Sequence, residues 1–165
     1  MGTIYIASGT ADYLLRIFKK YPNENLRIFH GDRHSLLIHE TDEKTLFQFP
    51  KTYQLIANIG IFPYKGKAAI RYIPVLEEFQ PVFEYQIRKK MTEELLSFGI
   101  TSLHLLRPKK GDTYALIACI QKGDSIETCR ELFKFLLEEQ PGKEKFYPRP
   151  GYTEEYVIGE DEDEN

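Results

Sequence analysis

Apolar residues recur along this chain in two rhythms, every second residue and every third or fourth, and the switch between them marks the elements. Residues 3–7 form a short β-rich run that stops at Ser8-Gly9. Ala11, Leu14, Phe18 and Tyr21 then follow at steps of three, four and three, the spacing of one helix face. Thr10 supplies a start cap and Pro22-Asn23 a stop. Leu26 and Ile28 alternate with Arg27 and Phe29, His30-Gly31-Asp32-Arg33 carries turn chemistry, and residues 35–39 read as the returning strand of a hairpin. Residues 45–48 read as a further short strand. Pro50 suits the first position of a helix with Tyr53, Ile56 and Ala57 on one face and Gly60 at its end.

Phe62-Pro63-Tyr64-Lys65-Gly66 reads as a boundary, and a second series follows it. Residues 68–73 form a strand. Pro81 opens a helix with Phe83, Ile87, Met91 and Leu95 at four-residue spacing, ended by Gly99. Residues 101–106 and 113–120 are strands joined by a turn at 108–112. Asp124 and Glu127 make a capping box before a helix whose face carries Ile126, Cys129, Phe133, Leu136 and Leu137. Pro141-Gly142 stops it, and residues 152–158 form the last strand. The second half therefore reads βαββαβ, the ferredoxin-like order, and the first half βαββ(β)α. Such a sheet carries helices on one face only, so its other face needs a cover, most simply a second sheet from the other half or from another chain. The expected division is an N-terminal half over 1–61, a ferredoxin-like domain over 67–158, and a disordered acidic tail over 159–165.

Composition adds exclusions. With 165 residues, 42% of them hydrophobic, the chain can bury a core of its own. Net charge is −3, and the short basic clusters such as Lys109-Lys110 sit among acids and read as solvated loop tips and helix faces; a nucleic-acid binder would show a basic excess. Cys119 and Cys129 fall on apolar stripes without metal-site spacing and read as small core hydrophobes. The N-terminus lacks the charged and apolar segments of a secretory signal, which with two cysteines points to a reducing, cytoplasmic location. No apolar run approaches the roughly 18 residues of a membrane helix.

Candidate chemistry is sparse. His30 and His34 flank a turn, but their surroundings match no metal site. His104 lies on a strand between Leu103 and Leu105 and faces a ligand cavity, the core or solvent. Gly9-Thr10 before a helix is too little for an anion site. Arg71 is the most informative residue. Alternation sets it with Ala69 and Ile73, opposite Ala68, Ile70 and Tyr72, and a charge in mid-strand requires solvent, a salt bridge or an anion.

Five segments occur in a characteristic order: Gly9-Thr10-Ala11-Asp12-Tyr13-Leu14, Ile38-His39-Glu40-Thr41, Leu105-Leu106-Arg107-Pro108, Asp112-Thr113-Tyr114 and Arg149-Pro150-Gly151-Tyr152. Together they resemble the family of two-domain haem-degrading monooxygenases of the bacillar type and the staphylococcal target of RNAIII-activating protein (TRAP). The resemblance spans about residues 3–158. It implies an α+β fold of the ferredoxin-like dimeric α+β barrel type, with a C-terminal antibiotic-biosynthesis-monooxygenase (ABM) domain and an N-terminal half standing in for a second subunit. It also implies a haem pocket built from an Asn on the domain's first strand, a Trp after its third and a His on its second helix. Here those positions carry Arg71, Ile120 and, near the helix end, Glu139; the chain has no Trp, and no His follows His104. Without a proximal imidazole, iron loses its usual axial anchor. The linker also lacks the histidine whose phosphorylation is linked to the signalling relative.

The expectation is thus a non-catalytic member that binds a small hydrophobic or porphyrin ligand or serves signalling or stress, with a candidate pocket of Tyr72, Phe83, His104, Cys129 and Phe133. It carries no metal site and no assigned cofactor, haem being the one the resemblance admits, and it works as a monomer with an internal pseudo-dimer, a homodimer being the other arrangement. The alternatives are a haem monooxygenase with a rearranged ligand set and a cofactor-independent ABM-type oxygenase acting on an aromatic substrate.

Overall fold

Alternating apolar and polar positions become strands wherever one face can be buried, and eight segments of this chain meet that condition. A computed structural model describes residues 2–137 and 145–159. Its strands are β1 (Thr3–Gly9), β2 (Leu26–His30), β3 (Ser35–Glu40), β4 (Lys51–Ile59), β5 (Gly66–Pro74), β6 (Ile100–Pro108), β7 (Thr113–Ile120) and β8 (Tyr152–Ile158). Its helices are α1 (Ala11–Lys20), α2 (Gln80–Lys90) and α3 (Glu127–Leu137). The Thr10 hydroxyl caps α1 by accepting from the Tyr13 N–H at 3.3 Å, and Lys19 and Lys20 complement the negative end of the helix dipole.

The strands close into an antiparallel barrel in the order β1-β3-β2-β8-β5-β7-β6-β4. Each half contributes one ferredoxin-like sheet, β4-β1-β3-β2 or β8-β5-β7-β6. The second strand of each half meets the fourth strand of the other, so the halves pair as a pseudo-dimer. The uncovered sheet face expected from the sequence is covered this way: Ile4, Phe29, Ile38 and Tyr53 from one half pack with Ile70, Tyr72, Leu106 and Ile117 from the other inside the barrel. Outside, α2 and α3 bury Phe83, Ile87, Cys129, Phe133 and Leu136 against the second sheet. The first sheet is covered by α1 through Leu14, with Leu46 and Phe47 beside it.

The two seams of the barrel differ. Along β4 and β6 six positions pair, from Tyr53 with Pro108 to Ile59 with Leu103. Along β2 and β8 only Phe29 with Ile158 and His30 with Val157 pair, because the turn closed by Gly31 N–H to His34 C=O (3.0 Å) carries the chain away.

Several sequence expectations are corrected. Residues 51–59 form β4, not a helix; a register shift between Leu55 and Ala57 breaks the two-residue alternation there, so that Tyr53, Ile56 and Ala57 imitate helical spacing. Residues 45–48 form no strand, since the Thr45 hydroxyl accepts from the Phe47 N–H (3.2 Å) in a local turn. The helix expected to reach Gly99 stops at Lys90, because Thr92 is extended (φ −116°, ψ 158°); a 3-10 helix, Glu93–Phe98, replaces its last turns, and Gly99 ends it at φ 95°. At the start of α3 the Ser125 hydroxyl, rather than Asp124, receives the Glu127 N–H (3.1 Å). The Pro141-Gly142 stop and the acidic run from Glu160 lie outside the described residues. Among the described residues no helix is long and apolar enough to cross a membrane.

Candidate functional site

Strand parity decides what Arg71 can do. Ala69 and Ile73 point to the helix side of β5, and Arg71 shares their face. There it reaches the end of α3 and, with Leu137, Tyr147, Arg149, Pro150 and Gly151, lines a cleft of about 250 Å³. Its Nη1 donates to Thr153 Oγ1 at 3.1 Å, and no carboxylate pairs with it among the described residues. Tyr147 presents a buried hydroxyl without a hydrogen-bond partner among those residues. Burial raises the phenol's pKa, and the Arg71 charge only partly offsets this, so the group is a neutral donor.

Arg149 is fixed by its own ion pair. Its Nη2 and Nη1 donate to Asp112 Oδ1 (2.7 Å) and Oδ2 (3.1 Å), and Nη2 also reaches Thr113 Oγ1 (3.3 Å). That pairing holds the Asp112 carboxyl below its ordinary range. The segment reaches β5 so closely that a Cβ at position 151 would meet the Tyr72 carbonyl oxygen at 2.3 Å, which only glycine avoids. The motif pair Asp112-Thr113-Tyr114 and Arg149-Pro150-Gly151 is thus one structural unit that shapes the cleft.

Behind the cleft the space between helices and sheet is filled. Phe83 packs edge-on against Tyr114 (4.9 Å between ring centres) and Tyr147 (6.4 Å), and Phe146 stacks on Phe79 (5.2 Å). The Tyr114 hydroxyl donates to Glu84, which also receives Arg107 Nε and Nη2, each at 2.7 Å. Burial alone would raise the Glu84 carboxyl, but the Arg107 and Tyr114 hydrogen bonds outweigh it and hold the group below its usual range. The Leu105-Leu106-Arg107-Pro108 motif therefore anchors α2 to the sheet.

The other expected site residues do not converge on this cleft. Ile120 is fully buried on the same face but pairs with Lys67, four register positions from the Leu116–Arg71 pair, or about 13 Å along the strand. Glu139 lies outside the described residues. The pocket of Tyr72, Phe83, His104, Cys129 and Phe133 is divided by the sheet: Phe83, Cys129 and Phe133 lie under the helices, whereas Tyr72 and His104 point into the barrel. His104 stacks on Phe62 (3.7 Å between centres, 7° between planes) and is 2% exposed. Burial, reinforced by the Arg27 charge, pushes its pKa down to about 3, so the imidazole is neutral. Its Nδ1 has no partner among the described residues.

These residues do not fit a coordinated haem. The one imidazole of the second half is on the wrong face of the sheet for the helix-side cleft. The Cys129 thiol donates to the Ala118 carbonyl (3.6 Å), and burial pushes its pKa up to about 12, so it offers no thiolate. Among the described residues no cluster of metal-ligating side chains occurs. The cleft's own polar groups are the Arg71 guanidinium, the Arg149 guanidinium already paired with Asp112, and the Tyr147 phenol. Tyr147 and Arg149 were not singled out in the sequence as cleft residues; the Arg149-Pro150-Gly151 motif was the signal that could have found them.

No protein-family model matches the chain. The signal transduction protein TRAP of Staphylococcus aureus is 32% identical to it over 120 residues, which cover 70% of each chain. Among solved structures, a major regulator of staphylococcal pathogenesis superposes with a TM-score of 0.81 at 23% identity, covering 94% of this chain and 98% of the other. A Listeria monocytogenes ferredoxin-fold protein related to antibiotic biosynthesis monooxygenases gives 0.76 at 20% identity, with 98% and 96% covered. The haem-degrading enzyme of Listeria monocytogenes gives 0.65 at 17% identity, with 94% and 98% covered. The identity to the staphylococcal protein, with the order of shared motifs and the closed pseudo-dimeric barrel, shows that the chain belongs to the TRAP family.

Proposed function

We propose that this chain is a non-catalytic, ligand-binding member of the TRAP family, and that the cleft between β5 and the end of α3 is its ligand seat. One observation carries the reading: the cleft gathers Arg71, which has no carboxylate partner among the described residues, with Arg149 held by Asp112 and the unpartnered hydroxyl of Tyr147, while the imidazole of His104 lies across the sheet. A guanidinium presents paired N–H donors that match a carboxylate, and a neutral phenol adds a third donor. At about 250 Å³ the cleft seats the carboxylate edge of a larger apolar ring rather than the whole ring. A porphyrin has such an edge, and a haem-degrading enzyme shares the fold. The residues here would hold its carboxylates and leave the metal without a protein ligand.

Incubating the purified protein with haem and a reductant is expected to yield no ring-opened product. Its appearance would establish the rival reading, haem cleavage with a rearranged ligand set. Because each half covers the other's inner sheet face, we further propose that a single copy is the working unit, with sedimentation equilibrium expected to give 19.3 kDa.

A further inference from the structure

We propose a second binding site, for a small phosphate-bearing anion, in the cleft of about 670 Å³ where the β6–β7 turn meets the start of β4. Lys51, Lys109, Lys110 and Arg149 line it, and among the described residues Asp112 is its only acid. Asp112 is already engaged by Arg149, and among the described residues no ion pair joins Lys51, Lys109 or Lys110 to a carboxylate; the Lys51 ammonium lies over the Tyr72 ring, 6.0 Å from its centre. This concentration of positive charge occurs in a chain whose net charge is −3.

The lysines come from two distant segments that the barrel brings together. The Lys109 N–H donates to the Thr52 carbonyl (2.9 Å), which fixes the turn against β4. Gly111, at φ 89°, allows the tight return of the turn that carries Lys109 and Lys110. Buried Tyr53 supplies an apolar wall. Like charges held around one cleft repel and oppose the folded state, and a multiply charged anion removes that cost. Compact, strongly hydrated ammonium groups suit phosphate oxygens as point charges, and the cleft has the size of small-molecule sites. The ligand class is therefore a phosphate ester or diphosphate on a small organic body. The site stands apart from the carboxylate cleft and shares only Arg149 with it.

Inorganic pyrophosphate is the direct probe. At fixed ionic strength, saturating pyrophosphate should raise the thermal midpoint by about 5 °C. Calorimetric affinity should fall at least tenfold in the Lys51→Gln/Lys109→Gln/Lys110→Gln variant and stay unchanged in Lys19→Gln/Lys20→Gln. The exposed positions make the triple variant safe for folding, and its own melting curve without ligand should lie at or above the parent's. Four results would overturn the proposal: no binding at millimolar pyrophosphate, equal binding by the triple variant, an equal response to added sodium chloride, or uptake only by vesicles containing phosphatidylglycerol. The last would assign the cations to a lipid surface.

Discussion

The two faces of the sheet β8-β5-β7-β6 have opposite chemistry. On the inward face the imidazole of His104 is stacked, neutral and only 2% exposed. The outward face is packed under α2 and α3 but opens at one end into a cleft with two guanidiniums and a phenol. One sheet thus keeps the His104 imidazole and the Arg71 guanidinium on opposite sides. Position relative to the sheet decides the chemistry, not the presence of a residue type.

The largest effect should come from cutting into the outward packing. Phe83→Ala removes a fully buried ring that touches both Tyr114 and Tyr147 and is expected to cost about 3–5 kcal/mol in urea unfolding. A cost below about 1 kcal/mol would mean that the helix side is loosely filled and could admit a larger ring.

The inward face makes a prediction about acid. His104 has a folded-state pKa near 3, against an ordinary 6.5, so the unfolded chain takes up its proton first. The stability linked to its neutral form is complete above about pH 6.5 and is lost as pH falls towards 3. Between pH 6.5 and 4.5 that loss should be about 2–3 kcal/mol. Arg27, the charged group facing it from β2, keeps its charge throughout. His104→Leu should abolish this part of the slope, and removing the unpartnered Nδ1 should leave stability at neutral pH unchanged or improved. An unchanged acid slope would show that the ring is hydrated and reachable.

Smaller effects test the cleft. Arg71→Leu should weaken binding of a porphyrin dicarboxylate about 10- to 100-fold by fluorescence titration, the worth of a charge-assisted hydrogen bond. His104→Leu should leave that affinity unchanged. Thr153→Val removes only the hydroxyl that orients Arg71 and should cost about 0.5 kcal/mol of binding. Equal losses from Arg71→Leu and His104→Leu would mean that the two faces are not separate.

Much of the frame was legible in the sequence because periodicity and burial agree. The strands read at 3–7, 113–120 and 152–158 follow from alternation and turn residues alone, the first running on to Gly9. β4 was not, because the irregularity after Leu55 shifts the apolar positions out of phase and copies a helix. For the site, alternation correctly grouped Arg71 with Ala69 and Ile73. Which group faces the helices depends on partners distant in sequence, so Phe83 and His104 were assigned to one pocket although the sheet separates them. The cleft required knowing that residues 147–151 return to β5 and that Arg149 is pinned by Asp112, contacts that no local pattern encodes.

The most direct test compares haem with metal-free protoporphyrin IX for affinity to the same protein. If only the carboxylates are read, the two dissociation constants agree within about threefold, and Arg71→Leu weakens both equally. Binding of haem a hundredfold or more tighter than the metal-free ring, with a Soret band shift, would place a protein ligand on the iron and contradict the account.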